Sequence, residues 1–78
     1  MTEFDNLIRN YTLTVQLMLT TKMEYHEAKR GNEVLHKFCE NLVENSLYND
    51  MNKTAMKIEL NLLKEALSEE INRFYGKG

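Results

Sequence analysis

The 78-residue chain contains no proline, and two of its three glycines stand among the last three residues. Proline and glycine interrupt α-helices more strongly than any other residues, so helix is the default conformation along nearly the whole chain. A chain of this length is also long enough for one domain at most. We therefore predict that residues 1–78 form a single all-α domain, a small antiparallel three-helix bundle.

The first helix is predicted to span about residues 3–30. Thr2 is a favourable N-cap, and Gly31 follows a last turn containing Lys29 and Arg30, where a left-handed glycine often ends a helix. Apolar residues recur along this stretch at helical spacing, within an arc about 120° wide, which predicts a core-facing stripe. The stripe consists of Phe4, Leu7, Ile8, Tyr11, Val15, Met18, Leu19 and Tyr25.

Residues 11–19 also show the pattern of a β-strand. Apolar side chains at positions 11, 13, 15, 17 and 19 alternate with polar ones, and several residues are β-branched. The helical interpretation is preferred because the helical stripe continues past both ends of the alternating stretch. A strand that pairs with a second copy of the chain is the alternative.

The second helix is predicted over about residues 33–48, with Asn32 as its N-cap and one apolar half. That half consists of Val34, Leu35, Phe38, Cys39, Leu42 and Val43. Asn, Ser and Asp side chains clustered at 45–50 favour a turn, but without glycine or proline the second and third helices could run together.

The third helix, predicted over about residues 51–75, carries two apolar stripes. The main stripe is predicted to face the core and consists of Met56, Leu60, Leu63, Leu67, Ile71 and Phe74. The second stripe lies on an adjoining face and consists of Met51, Ala55, Ile58, Leu62 and Ala66. Together they widen the apolar arc to about 220° in the first half of this helix, so the helix must be covered on two sides.

The sequence thus supplies more apolar helix surface than three helices bury among themselves. Leu13 and Leu17 add to the second stripe, because they lie one turn apart and roughly opposite the main stripe of the first helix. Large exposed apolar patches on soluble proteins mark association surfaces. The alternative is a bundle that covers some of these residues and leaves the rest singly exposed, which is ordinary.

We predict a non-enzymatic protein-binding module that acts by helix-in-groove packing on a protein partner. Adaptors, small co-chaperones and phage or mobile-element inhibitors are examples, and nine asparagines are typical of the AT-rich coding of such elements. A symmetric homodimer is the commonest way to close such a surface, so we also expect self-association. The predicted contact residues are Leu13, Leu17, Met51, Ile58 and Leu62.

The sequence does not indicate catalytic or metal chemistry. His36 and Cys39 are three residues apart, but helical spacing places His36 on a charged face, and structural zinc needs four ligands. Glu65, Glu69 and Glu70 fall on the solvent-facing side of the third helix. No glycine-rich phosphate loop or nucleophile elbow is present. We therefore expect no enzyme activity, no cofactor and no metal ion.

Charge and cysteine content suggest where such a chain acts. Its net charge of -2 is too small to direct it to nucleic acid or an anionic membrane. One cysteine forms no internal disulfide, and no stretch resembles a signal peptide or a membrane span. We expect a soluble, cytoplasmic protein. The rival hypothesis is a small DNA-binding transcriptional regulator that uses the basic edge Lys53, Lys57 and Lys64.

Overall fold

The computed structural model describes residues 2–77 and contains three α-helices joined by two short turns. The helices are α1 (Glu3–Leu19), α2 (Tyr25–Glu44) and α3 (Asp50–Phe74). Each helix packs against the other two, in a bundle about 40 Å long and 19 Å across. The predicted all-α three-helix fold is confirmed.

Contacts at both ends of the bundle establish that α2 and α3 are antiparallel. At the start of α2, the Tyr25 hydroxyl donates to the side-chain oxygen of Asn72 near the end of α3. At the end of α2, the Glu44 carboxylate binds the ammonium group of Lys57 near the start of α3. Because the turns are short, α1 also runs antiparallel to α2.

The chain first reverses direction at residues 20–24, not at Gly31 as the sequence predicts. The hydroxyls of Thr20 and Thr21 donate to backbone carbonyls three residues back, at 2.7 Å each, and Lys22 adopts a left-handed φ of 59°. Threonine hydroxyls compete in this way for the backbone groups of a helix end. The turn therefore forms without glycine or proline.

The predicted bounds of 3–30 and 33–48 are consequently wrong, whereas the bounds of 51–75 are confirmed to within one residue at each end. Residues 45–49 separate α2 from α3, so these two helices are not continuous. Residues 11–19 belong to α1, so the strand interpretation is also wrong.

The start of α2 at Tyr25 determines which side of this helix faces the core. Its buried residues follow a single row at spacings of three and four, namely Ala28, Asn32, His36, Cys39 and Val43. The predicted apolar half is therefore split, because Val34, Phe38 and Leu42 are 59%, 59% and 45% exposed. The predicted placement of His36 on a charged face is wrong, since this side chain is buried.

Two residues in the middle of α2, Gly31 and Asn32, make close contacts with the neighbouring helices. A Cβ atom at Gly31 would lie 2.7 Å from the Met18 sulfur, so glycine permits the close approach of α1. The Tyr11 hydroxyl on α1 donates to the backbone carbonyl and the side-chain oxygen of Asn32. The Asn32 side-chain amide donates to the Lys64 carbonyl on α3 at 3.0 Å. Asn32 is thus a tertiary link between all three helices, not the predicted N-cap.

The core is formed along the bundle axis by apolar residues from all three helices. These residues are Tyr11, Val15, Leu19, Ala28, Cys39, Val43, Leu60, Leu67 and Ile71. The predicted core stripes of α1 and α3 supply most of them. Phe74 departs from its predicted stripe, because it ends α3 and is 60% exposed.

Candidate protein-binding surfaces

The second apolar stripe of α3 is exposed along its whole length, and we call it the α3 ridge. It comprises Met51, Ala55, Ile58, Leu62 and Ala66. These residues lie on the side of α3 opposite the buried Leu60 and Ile71, and therefore point away from the bundle axis. At 1.5 Å per residue, the ridge is about 22 Å long.

The charges beside the α3 ridge are all negative. The charged residues within three or four positions of a ridge residue are Glu59, Glu65, Glu69 and Glu70, and no lysine or arginine occupies such a position. None of these carboxylates forms a salt bridge with another residue of the described chain, 2–77. The ridge is therefore an apolar surface with an acidic rim.

Leu13 and Leu17 form a separate and smaller surface on α1. They are 45% and 65% exposed and lie opposite the buried Tyr11 and Val15. Because α1 and α3 pack together through their buried sides, their outer sides diverge. All five predicted contact residues are thus on the surface, but they form two faces that do not join. Their role in binding stays a prediction.

A third apolar surface lies between α1 and α2, and sequence reasoning missed it. This α1–α2 groove consists of two shallow depressions that share Leu7. Phe38 lines one of them and Leu42 the other, and both are exposed at the rim of α2. The complete lining is Glu3, Phe4, Leu7, Asn10, Tyr11, Thr14, Leu35, Phe38, Cys39, Leu42, Val43, Ser46 and Tyr48.

Among the described residues, the lining of the α1–α2 groove contains one carboxylate, Glu3, and no lysine or arginine. Arg30 and Lys37 instead line a separate depression on α2, together with Val34 and Glu33. Neither cation forms a salt bridge within the described residues. The groove is therefore a mainly apolar surface with no cation in its described lining.

The predicted basic edge of α3 is occupied by contacts within the protein. Lys53 donates to the Glu44 backbone carbonyl at 2.8 Å, and Lys57 donates to the Glu44 carboxylate. The second hydrogen bond lowers the pKa of Glu44 and raises the pKa of Lys57. All three residues of the edge, including Lys64, are half-buried. These lysines are less available to an external phosphate than the sequence suggests.

Two buried ionisable groups of the core predict how stability depends on pH. Burial raises the pKa of the Cys39 thiol, and burial together with Cys39 raises the pKa of the Tyr11 phenol. Both groups hold their protons more tightly in the folded chain, so stability is fully present below the unfolded-state pKa values and is lost as pH rises. We expect the free energy of unfolding to fall above about pH 9.

Urea denaturation between about pH 7 and pH 11 measures this dependence. Cys39→Ala is expected to remove the part of the fall that begins first, because the thiol titrates at a lower pH than the phenol. A free energy of unfolding that stays constant across the whole range would contradict the prediction.

Within residues 2–77, the side chains of the bundle interior form no arrangement that suggests a metal site. His36 lies with Nδ1 3.7 Å from a Glu40 carboxylate oxygen, and its Nε2 has no hydrogen-bond partner among residues 2–77. The described residues contain no group of three or more His, Cys, Asp or Glu side chains placed to hold a metal ion. Within the same residues, no helix combines the length and apolarity needed to cross a membrane.

Comparison with protein-family models, curated proteins and solved structures finds no match to this chain. Its function is therefore inferred from its own residues and their geometry. The exposed surfaces with a distinctive chemical character are the α3 ridge, the Leu13–Leu17 face and the α1–α2 groove.

Proposed function

We propose that this protein is a non-enzymatic protein-binding module whose principal docking surface is the α3 ridge. The observation that carries the proposal is the contrast between the two sides of α3. Met51, Ile58 and Leu62 are 82%, 56% and 63% exposed, whereas Leu60 and Ile71 are fully buried. An apolar patch with a polar rim is typical of an association surface.

The size and shape of the α3 ridge favour helix-in-groove recognition. Its residues follow the spacing of four and three by which an amphipathic helix presents anchors to a groove. A partner that covers the exposed parts of these side chains would gain roughly 1 kcal/mol from each of the larger ones. Leu13 and Leu17 provide a second, smaller contact on α1. Adaptors, co-chaperones and small inhibitors bind larger proteins through surfaces of this kind.

The DNA-binding alternative has less support. It would require Lys53, Lys57 and Lys64 to reach backbone phosphates, but two of them already donate to Glu44. Phosphate contacts by lysine and arginine supply most of non-specific DNA affinity. Because Lys53 and Lys57 already donate to Glu44, this edge has fewer cations available for phosphate contacts.

Site-specific photo-crosslinking in the cells that produce the protein tests the proposal. A benzoylphenylalanine in place of Met51, at one end of the α3 ridge, is expected to give discrete protein adducts. Adding Ile58→Gln and Leu62→Gln should abolish them, because the apolar contact is lost while two exposed helical positions keep a good helix former. Circular dichroism should show that the variants remain folded.

The matched control is Leu13→Gln with Leu17→Gln, the same chemical change at two exposed leucines of α1. The adducts at position 51 should persist in this control. Adducts that are unaffected by the α3 substitutions would show that the ridge is not the docking surface.

A further inference from the structure

We propose that the α3 ridge packs against a basic amphipathic helix of the partner protein, with lysine or arginine side chains of that helix opposite Glu65 and Glu69. The inference rests on the proposed function and names the chemistry of the partner. Its basis is the order of side chains along the outer side of α3, where exposed apolar residues are followed by exposed carboxylates in the same helical spacing.

The outer side of α3 has the spacing of a coiled-coil seam, the row of side chains along which one helix packs against another. Apolar residues four, three and four positions apart form its first half. They are Met51, Ala55, Ile58 and Leu62, and all are exposed. The same alternation of three and four positions continues to Glu65 and Glu69, which are also exposed. The seam therefore has an apolar half and an acidic half.

The carboxylates of Glu65 and Glu69 are available to a partner. At 100° per residue, both lie within about 60° of Leu62, on the side of α3 that points away from the core. Neither forms a salt bridge with another residue of the described chain, 2–77. No lysine or arginine stands in the seam, and the first cation beyond it is Arg73, one turn after Glu69. The acidic half is thus not neutralised by cations of its own seam.

Complementary charge decides which helix fits this surface. A partner helix with apolar residues opposite Ile58 and Leu62 covers the first half, and cations further along the same helix meet Glu65 and Glu69. Charges beside an apolar seam select both the partner and its orientation. An acidic helix would place like charges together, and a second copy of this chain brings no cation in its own seam. The basic helix forms one wall of the groove that receives the ridge.

Fluorescence anisotropy with two synthetic peptides tests the inference. Both peptides are amphipathic helices about three heptads long with leucine along one face. One carries lysine at every flanking position where the other carries glutamate. The lysine peptide should bind the full chain with a dissociation constant below about 1 mM. The glutamate peptide should bind roughly tenfold more weakly, because each of several exposed ion pairs contributes a small factor.

Variants of the protein locate the binding on the α3 ridge. Glu65→Gln and Glu69→Gln should each weaken binding of the lysine peptide by about two- to fourfold. Ile58→Gln with Leu62→Gln should weaken it by at least about tenfold, because the apolar contact is lost. Glu33→Gln makes the same change at an exposed glutamate of α2 and should leave the affinity unchanged.

Equal binding of the two peptides would overturn the inference, as would undiminished binding to the Ile58→Gln, Leu62→Gln variant. No binding of the lysine peptide up to about 1 mM would also overturn it. Wild-type protein that dimerises in analytical ultracentrifugation, when the same variant does not, would assign the ridge to a second copy instead. After any of the first three results, photo-crosslinks from position 51 to a different protein that persist with Glu65→Lys and Glu69→Lys would leave the proposed function standing.

Discussion

Leu60→Ala is expected to lower the free energy of unfolding by about 3 kcal/mol, whereas Leu62→Ala lowers it by less than about 0.5 kcal/mol. The two leucines are two positions apart on α3 and have opposite environments, since Leu60 is 0% and Leu62 is 63% exposed. Truncation of Leu60 loses apolar burial and leaves a cavity between three helices. Truncation of Leu62 removes atoms that are mostly in water and introduces a better helix former.

Urea denaturation monitored by circular dichroism measures both changes. A domain of this length is expected to have a total stability of only about 4–12 kcal/mol, so Leu60→Ala should shift the midpoint strongly. Similar losses for the two variants would mean that the α3 ridge is not exposed in the folded protein. That result would remove the basis of the proposed function.

Asn32→Ala is expected to lower the free energy of unfolding by about 2–3 kcal/mol, which is unusually large for a polar residue. The Asn32 side chain is 2% exposed, accepts a hydrogen bond from the Tyr11 hydroxyl and donates one to the Lys64 carbonyl. Alanine removes both hydrogen bonds and leaves a small cavity. The buried Tyr11 hydroxyl is then left with the Asn32 backbone carbonyl alone.

The matched control is Asn41→Ala, an exposed asparagine on the same helix. This change should be neutral or slightly stabilising, because alanine has the higher helix propensity. A double-mutant cycle of Asn32→Ala with Tyr11→Phe should show a coupling energy of about 1 kcal/mol, since each change breaks the same hydrogen bond. A loss below about 0.5 kcal/mol for Asn32→Ala would contradict the structural role given to this residue.

The fold class could be predicted from the sequence because helix formation here is largely local. The absence of proline and the repeat of apolar residues on α1 and α3 depend only on positions near one another in the chain. The prediction of the third helix succeeded for this reason. The exposure of the α3 ridge also followed from the sequence, because three helices of this size cannot enclose a helix that is apolar over so wide an arc.

The first turn and the orientation of α2 could not be derived in the same way. Gly31 is a common helix terminator, yet it lies inside α2 and serves the close approach of α1 at Met18. The break falls instead at two threonines, which are ambiguous signals by themselves. Because the boundary was misplaced, the sequence did not reveal that α2 begins at Tyr25 or that its row of buried residues begins at Ala28. The sequence also grouped Phe38 and Leu42 with Cys39 and Val43 in one apolar half, and the α1–α2 groove was missed.

The sequence by itself determined that this protein is helical, that its third helix is apolar on two faces and that the outer face is left without a covering layer. Helix content and apolar periodicity are properties of neighbouring residues, so they need no knowledge of distant contacts. Only the tertiary structure decided which side of α2 is buried, because that depends on Tyr11 and Lys64, which reach Asn32 from other helices. It also decided that Phe38 and Leu42 line a groove between α1 and α2, since that groove is formed by the packing of the helices around one core.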